Sequence, residues 1–228
     1  MRGKLLRDAK LSEILKLAKD NEYSGIIYIG NDDENQIVIR RGRIVVANYY
    51  DFQDIDALKE IAISGEEFDF NMQGSVYFKS DFEERTEEAI KAVEEAEEAF
   101  EKLAYMMNKY VKVSEEGEQN TISLKREEIK FLMDHVSKPE NINSIIKEEK
   151  KPSIEVLKFL NQLKEKNLIT VYDVSHPRVY EYLLERYPEI VPLFEQYSND
   201  IRAFEKELTK NHRDIAAKII REISPLQK

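Results

Sequence analysis

Apolar residues recur three and four apart at Leu11, Ile14, Leu15 and Ala18, a period that predicts an amphipathic helix over about residues 10–21. The polar run Asn21–Ser24 ends it. The stretch Gly25–Gly30 then reads as a strand, Asn31–Asn35 as a turn, and Gln36–Arg40 as a second, half-buried strand. Arg41-Gly42 predicts a tight hairpin in which Gly42 supplies a positive φ, and it leads into the strand Arg43–Tyr49. Ile55, Leu58, Ile61 and Ala62 mark a helix that Gly65 stops, and Glu67–Asn71 alternates as a further strand. Residues 1–81 therefore read as an α+β unit: helix, three-stranded meander, helix, strand, on an antiparallel sheet.

Between Phe82 and Val111 the period changes. Ile90, Val93, Ala96, Phe100, Leu103, Met107 and Tyr110 run three and four apart without Gly or Pro. They predict one connecting helix over 82–112, of roughly 28 residues and about 40 Å at 1.5 Å per residue. Its other faces carry Glu87, Glu88, Glu94, Glu95, Glu97 and Glu98. Two readings stand side by side: a helix packed along its own domains, or the seam of a homodimer through 84–111.

The polar segment Glu115–Asn120 reads as a domain boundary. Beyond it, Ile129, Leu132, Met133 and Val136 mark a helix over about 124–137, and Ile142, Ile145 and Ile146 a short second one. Ser153 is expected to cap a third, carrying Val156, Leu157, Leu160 and Leu163, and Leu168–Tyr172 a closing strand. Three helices followed by a strand is the order of a winged-helix-like domain, here 120–174. Residues 175–228 form a helical C-terminal extension, opened by Pro177 and broken at Pro188. The expected fold class is α+β.

Composition narrows the chemistry. A length of 228 residues favours two compact units, and 42% hydrophobic residues suffice for their cores. With no cysteine and three dispersed histidines (His135, His176, His212, expected at the surface or at boundaries), no metal or cofactor is expected. The seven glycines form no phosphate-binding loop, no nucleophile elbow is present, and acidic pairs such as Asp32-Asp33 sit in polar stretches. No catalytic site is expected. No apolar run approaches the roughly 20 residues of a membrane span, and the first residues lack a secretory signal, so a cytoplasmic location is expected. The net charge of −10 would repel nucleic acid and anionic membranes.

Four stretches share one order and spacing: Ser24–Ile29, Gly42-Arg43-Ile44-Val45-Val46-Ala47, Ala57-Leu58, and Gly65 followed by Phe68-Asp69-Phe70. Together they resemble the PATAN domain, the family named for the amino-terminal part of the bacterial protein PatA, over about residues 3–71. The resemblance implies a bacterial interaction domain used in signalling or scaffolding, without cofactor or catalytic residues, whose receiver-domain partner would here act in trans. The chain departs from the family at Lys16 and Lys19, where Leu and Gln are favoured, and at Tyr49, Tyr50 and Phe52, where glycine is frequent. Because Tyr and Arg are favoured contact residues, the aromatic group Tyr49, Tyr50 and Phe52 and the hairpin group Arg40, Arg41 and Arg43 beside it form the expected partner interface. The competing reading for the tyrosines is packing on the long helix. The alternative function, a DNA-binding regulator using 120–174, rests on Lys158, Lys164 and Lys166, offset by Glu155 and Glu165.

Overall fold

A computed structural model describes residues 2–4, 9–30, 32–72, 80–114 and 124–227. The elements are β1 (Arg2–Lys4), α1 (Leu11–Asp20), β2 (Gly25–Ile29), β3 (Asp32–Arg40), β4 (Arg43–Tyr49), β5 (Phe52–Gln53), α2 (Asp54–Ser64), β6 (Phe68–Met72) and α3 (Thr86–Leu103). They continue as β7 (Tyr110–Val113), α4 (Arg126–His135), β8 (Glu140–Asn141), α5 (Ile142–Glu148), α6 (Ser153–Glu165) and β9 (Ile169–Tyr172). Four helices finish the chain: α7 (Pro177–Arg186), α8 (Val191–Tyr197), α9 (Ile201–Asn211) and α10 (Arg213–Ile223). The class is α+β, as the alternating periods imply.

The chain divides into two compact units, one made of residues 1–107 with 144–165, the other of 108–143 with 166–228. The stretch 120–174 is thus shared between them and does not form a domain by itself. Its expected order of three helices and a strand is present, but α6 belongs to the first unit and β9 to the second.

In the first unit the strands form an antiparallel sheet of order β1-β6-β2-β3-β4-β5. Ile27, Ile29, Ile37, Ile39, Ile44 and Ala47 point to one face. There they meet Leu11, Leu15 and Ala18 of α1, Leu58 and Ile61 of α2, and Ala89, Ile90 and Val93 of α3. Alternation does this: successive strand residues face opposite sides, so only every second one needs to be apolar. The polar run Asp32–Asn35, read as turn, is the first half of β3. Its exposed Asp32, Asp33 and Glu34 carry no burial requirement and so left no alternating signal.

Arg41 (φ 47°) and Gly42 (φ 73°) are both left-handed, as a two-residue turn matched to strand twist requires. Beyond it a bulge shifts the register, pairing Ile39 with Ile44 but Val38 with Val46. The Ile44 N–H donates instead to Thr86 Oγ1 (3.0 Å), whose hydroxyl donates to the Glu83 carbonyl (2.9 Å). The 3-10 turn Asp81–Arg85 thereby packs along the open flank of β4, where an unpaired ladder would otherwise invite another strand.

The predicted 82–112 helix is shorter. Its α-helical part is Thr86–Leu103, which tightens into a 3-10 turn at Ala104–Met106. Asn108, left-handed at φ 65°, then redirects the chain into β7. Tyr110 continued the helical period by coincidence; it is a strand residue buried in the other unit's core. The apolar stripe of α3 is likewise internal, with Ala89, Ile90, Val93, Ala96 and Leu103 all buried, so the seam expected for a homodimer is already covered by the chain itself.

In the second unit β7 is central in a sheet of order β8-β7-β9. Val179, Tyr180, Leu183, Phe194, Phe204, Leu208, Ile219 and Ile223 from α7–α10 build its core. The apolar residues between Ile190 and Leu208 fall on two helices, separated before Ile201. There Asp200 accepts from the Arg202 and Ala203 N–H groups and starts α9.

A side chain at Gly42 is blocked twice, by its φ and by space: a Cβ would lie 2.7 Å from both Cα and O of Lys19, backbone atoms at the end of α1. Gly65 has a similar φ of 68° but open space around it. Gly65→Ala should cost about 1 kcal/mol and Gly42→Ala about 3 kcal/mol or more in urea unfolding; equal costs would refute the hairpin's seating against α1.

Candidate interaction surface

The two residue groups expected to form one interface lie at opposite ends of β4. Arg40 and Arg43 pair across the hairpin mouth, while Tyr49 pairs with Phe52 at the far end. Six residues at about 3.3 Å each put them some 20 Å apart. Counting residues along the chain made them neighbours, but an extended strand separates its ends by its whole length.

The arginine end is partly committed. Arg40 forms an ion pair with Glu83, while the backbone of Arg41 donates to Ser24 Oγ (2.9 Å) and that of Gly42 to the Tyr23 carbonyl (2.8 Å). The side chains of Arg41 and Arg43 are exposed.

At the aromatic end the three residues have different fates. Phe52 packs against the first unit's core, and Tyr49 is buried in it. Burial pushes the Tyr49 phenol up to about 12, with the Glu66 carboxylate adding to the shift. Tyr50 alone projects, 67% exposed, its ring set edge-on to Tyr49 at 4.7 Å. Its φ is 48°, a conformation in which a bulky aromatic residue is strained. The Tyr50 N–H is held by Asn35 Oδ1 at 2.7 Å. Asn35 is 2% exposed, and its Nδ2 has no hydrogen-bond partner among the described residues. Two local penalties therefore meet at one turn, a left-handed tyrosine and an unsatisfied buried amide. Sequence reasoning missed Asn35, because an asparagine in an acidic run reads as turn.

The acidic side of α3 faces α1, with the two helices antiparallel. Lys10 pairs with Glu101 (2.7 Å), Lys16 with Glu94 and Lys19 with Glu87. At the centre Glu97, only 7% exposed, accepts from both the backbone N–H (3.1 Å) and the hydroxyl of Ser12. The neighbouring carboxylate thus caps the first turn of α1, whose own Lys10 offers no side-chain cap. Lys16 and Lys19 are thus engaged by α3 and not offered to a partner. The exposed pairs fix register more than stability.

The same device holds α6. Ser153 is the first residue of the helix, and its N–H and Oγ–H both donate to Glu60 of α2, the latter at 3.0 Å. Glu155 pairs with Lys59, and α6 packs on α2 and α3. Lys164 donates to Tyr105 OH (2.8 Å) with its ammonium over that ring, and Lys166 pairs with the buried Glu128. The would-be recognition helix is therefore an internal element of the first unit with Lys164 engaged and Lys166 lying beyond its end, and β9 runs into α7 at Pro177 without a hairpin wing. A cleft of about 350 Å³ between α2, α3 and α6 is lined by Lys59, Lys91 and Lys158 against Glu88, Glu95 and Glu155, a balanced set that favours neither anion nor cation.

The second unit's buried phenols are satisfied. Tyr110 donates to Glu181 (2.6 Å) and Tyr180 to Glu195 (2.7 Å), which also pairs with Lys112 (2.7 Å), and Tyr172 and Tyr180 share a hydrogen bond of 2.6 Å. Burial pushes the Tyr172 phenol up to about 12, and burial with the adjoining carboxylates carries Tyr110 and Tyr180 higher still. This network has the character of core packing. His135, His176 and His212 are all half-buried and far apart in sequence, at or beside helix ends.

No protein-family model, curated protein or solved structure matches the chain. No helix among the described residues is long and apolar enough to cross a membrane, and no group of three or more metal-ligating side chains among them is placed to hold an ion.

Burial raises the Glu60 carboxyl above its ordinary value, an effect the two Ser153 donors partly oppose. A raised folded-state value makes the stability contribution full below the unfolded value of about 4.3 and lost as pH rises through the folded one. Glu60→Gln should therefore flatten the fall in stability over that window and match or exceed the wild type at pH 7. A variant that retains the wild-type slope in pH-dependent urea melts would contradict the assignment.

Proposed function

We propose that this protein is a non-catalytic interaction module of bacterial signalling or scaffolding, acting in the cytoplasm, and that the β4–β5 turn centred on Tyr50 is its contact point. The carrying observation is the strained, two-thirds-exposed tyrosine held by a buried asparagine. Strain of this kind costs about 1–3 kcal/mol and persists where something other than folding requires it. An exposed ring with a fixed backbone is a suitable anchor, because it loses little conformational freedom on binding.

The resemblance of residues 3–71 to the PATAN pattern supports the same reading and suggests a receiver domain supplied in trans as the partner. In that pattern the loop frequently carries glycine, which adopts a positive φ without strain. This chain carries tyrosine there, an exchange that favours contact over stability. The DNA-binding alternative is disfavoured by the engagement of α6 in the first unit, since a recognition helix needs a free face and basic groups directed at phosphates.

Tyr50→Gly separates fold from function. Relief of the left-handed strain offsets the lost contact with Tyr49, so thermal stability should stay level or rise by up to about 1 kcal/mol. Affinity for the receiver domain recovered by the wild type, measured by calorimetry, should fall at least about tenfold, as for a binding hot spot. A variant that loses more than about 1 kcal/mol of stability yet binds normally would make Tyr50 a structural residue and sink the proposal.

A further inference from the structure

Carboxylates border the β4–β5 turn that carries Tyr50. Asn35, whose Oδ1 takes the Tyr50 N–H, is preceded in β3 by Asp32, Asp33 and Glu34, all exposed. Gln36 pairs with Asn48, and the register shift before it brings the irregular stretch Asp33–Asn35 up beside Tyr50. Asp51, also exposed, completes the turn, and the Glu66 carboxylate stands near the Tyr49 phenol, whose ring packs with that of Tyr50. The cations of this unit are distant from the turn or already engaged. Residues 32–39 and 44–58 contain no Lys or Arg. Arg40, Arg41 and Arg43 lie about 20 Å away at the other end of β4. Lys59 pairs with Asp56 and Glu155, and Arg85, within electrostatic reach of Asp54, is bound to Glu88. A second feature points to a missing ligand. The Asn35 amide is directed at this turn and is 2% exposed, and its Nδ2 donor has no acceptor among the described residues.

We infer that the protein bound at this turn presents a cationic surface, with an Arg or Lys side chain laid on the Tyr50 ring and further basic groups meeting Asp33, Glu34 and Asp51. The inference rests on the reading of this turn as the contact point and adds the chemistry of what it contacts. A ring two-thirds exposed offers its negative face to a cation. Carboxylates beside it, unopposed by local cations, steer a basic partner in and reject an acidic one. The partner's main chain supplies the acceptor that Asn35 Nδ2 lacks, once the exposed turn above it yields. A metal ion is a poorer occupant, because no group of three or more ligating side chains among the described residues is placed to hold one. Nucleic acid and anionic membranes are repelled by the same carboxylates. A second copy would have to dock its hairpin, with the exposed Arg41 and Arg43, into this turn. That contact runs head to tail and leaves one hairpin and one turn unpaired unless a ring closes. The patch is small, so the complex is transient, with fast exchange.

The test follows NMR amide shifts of the full chain during titration with two synthetic peptides of equal length. Both are Gly-Ser repeats, one interrupted by Arg and the other by Glu at the same positions. The Arg peptide should give saturable shifts centred on residues 33–35 and 49–53, with the Asn35 side-chain amide among them. It should bind at least about tenfold tighter than the Glu peptide, and more weakly as salt rises. Asp33→Asn with Glu34→Gln and Asp51→Asn should reduce its affinity at least about tenfold. Neutralising the exposed Glu84, Glu98 and Glu185 to Gln changes the net charge equally and should leave affinity within about twofold. Tyr50→Phe should bind as the wild type does, and Tyr50→Gly at least about threefold more weakly. Both triple variants should melt with the wild type, because all six positions are exposed. Equal binding of the two peptides, shifts centred elsewhere, or equal losses in the two triple variants would overturn the inference. Receiver-domain binding that falls with Tyr50→Gly but is unchanged by the Asp33, Glu34 and Asp51 substitutions would overturn the charge assignment alone and leave Tyr50 as the contact point. Indifference to both would sink both readings. Concentration-dependent self-association abolished by Arg41→Glu with Arg43→Glu would assign the turn to a second copy.

Discussion

A buried carboxylate ties the first unit together. Glu97 sits inside the packing of α3 on α1, where an ion without hydrogen bonds would be strongly disfavoured, and both its oxygens are satisfied by the two donors of Ser12. That requirement fixes the register of α3 to within one residue. A shift by one would separate Glu97 from Ser12 and move Glu87 and Glu94 away from Lys19 and Lys16. With the register set, Ile90 and Val93 fall on the sheet's buried face, and Thr86 reaches the bulge of β4.

The same constraint determines what the surface has left to offer. Glutamates that looked like an acidic display include three paired with lysines of α1. The apolar stripe that looked like a dimer seam is core. Of the lysines that looked available to phosphate, Lys164 on α6 is held by Tyr105, and Lys166 beyond the end of that helix by Glu128. In each case a residue type suited to an external partner found an internal one. Tyr50 is the informative exception, because its left-handed backbone carries a penalty to keep it exposed.

Much of the first unit was legible because period and burial coincide there. Leu11, Leu15 and Ala18 repeat at helical spacing, Gly42 and Gly65 stand where positive φ is required, and the strands alternate. Legibility failed where a pattern had two causes. Tyr110 continued the helical spacing of α3 while belonging to a strand, and only Asn108 with its left-handed backbone marks the change. Ser153 resembled a cap for its own helix but donates to Glu60, a contact between residues 93 positions apart that no local window contains. The candidate site was half legible. Of the six residues expected at one interface, Arg41, Arg43 and Tyr50 are exposed while Tyr49 and Phe52 pack with the core, the length of β4 separates the two groups, and the role of Asn35 depends on a hydrogen bond between residues 15 positions apart.

The most direct test of the central claim, that partners approach the β4–β5 turn while α3 serves the fold, is site-specific photo-crosslinking in living cells. A crosslinking amino acid at position 50 should yield a discrete adduct with one other protein, and the same group at outward positions of α3, such as 88 and 98, should yield none of comparable intensity. Adducts that form from α3 and are missing from position 50 would contradict the account.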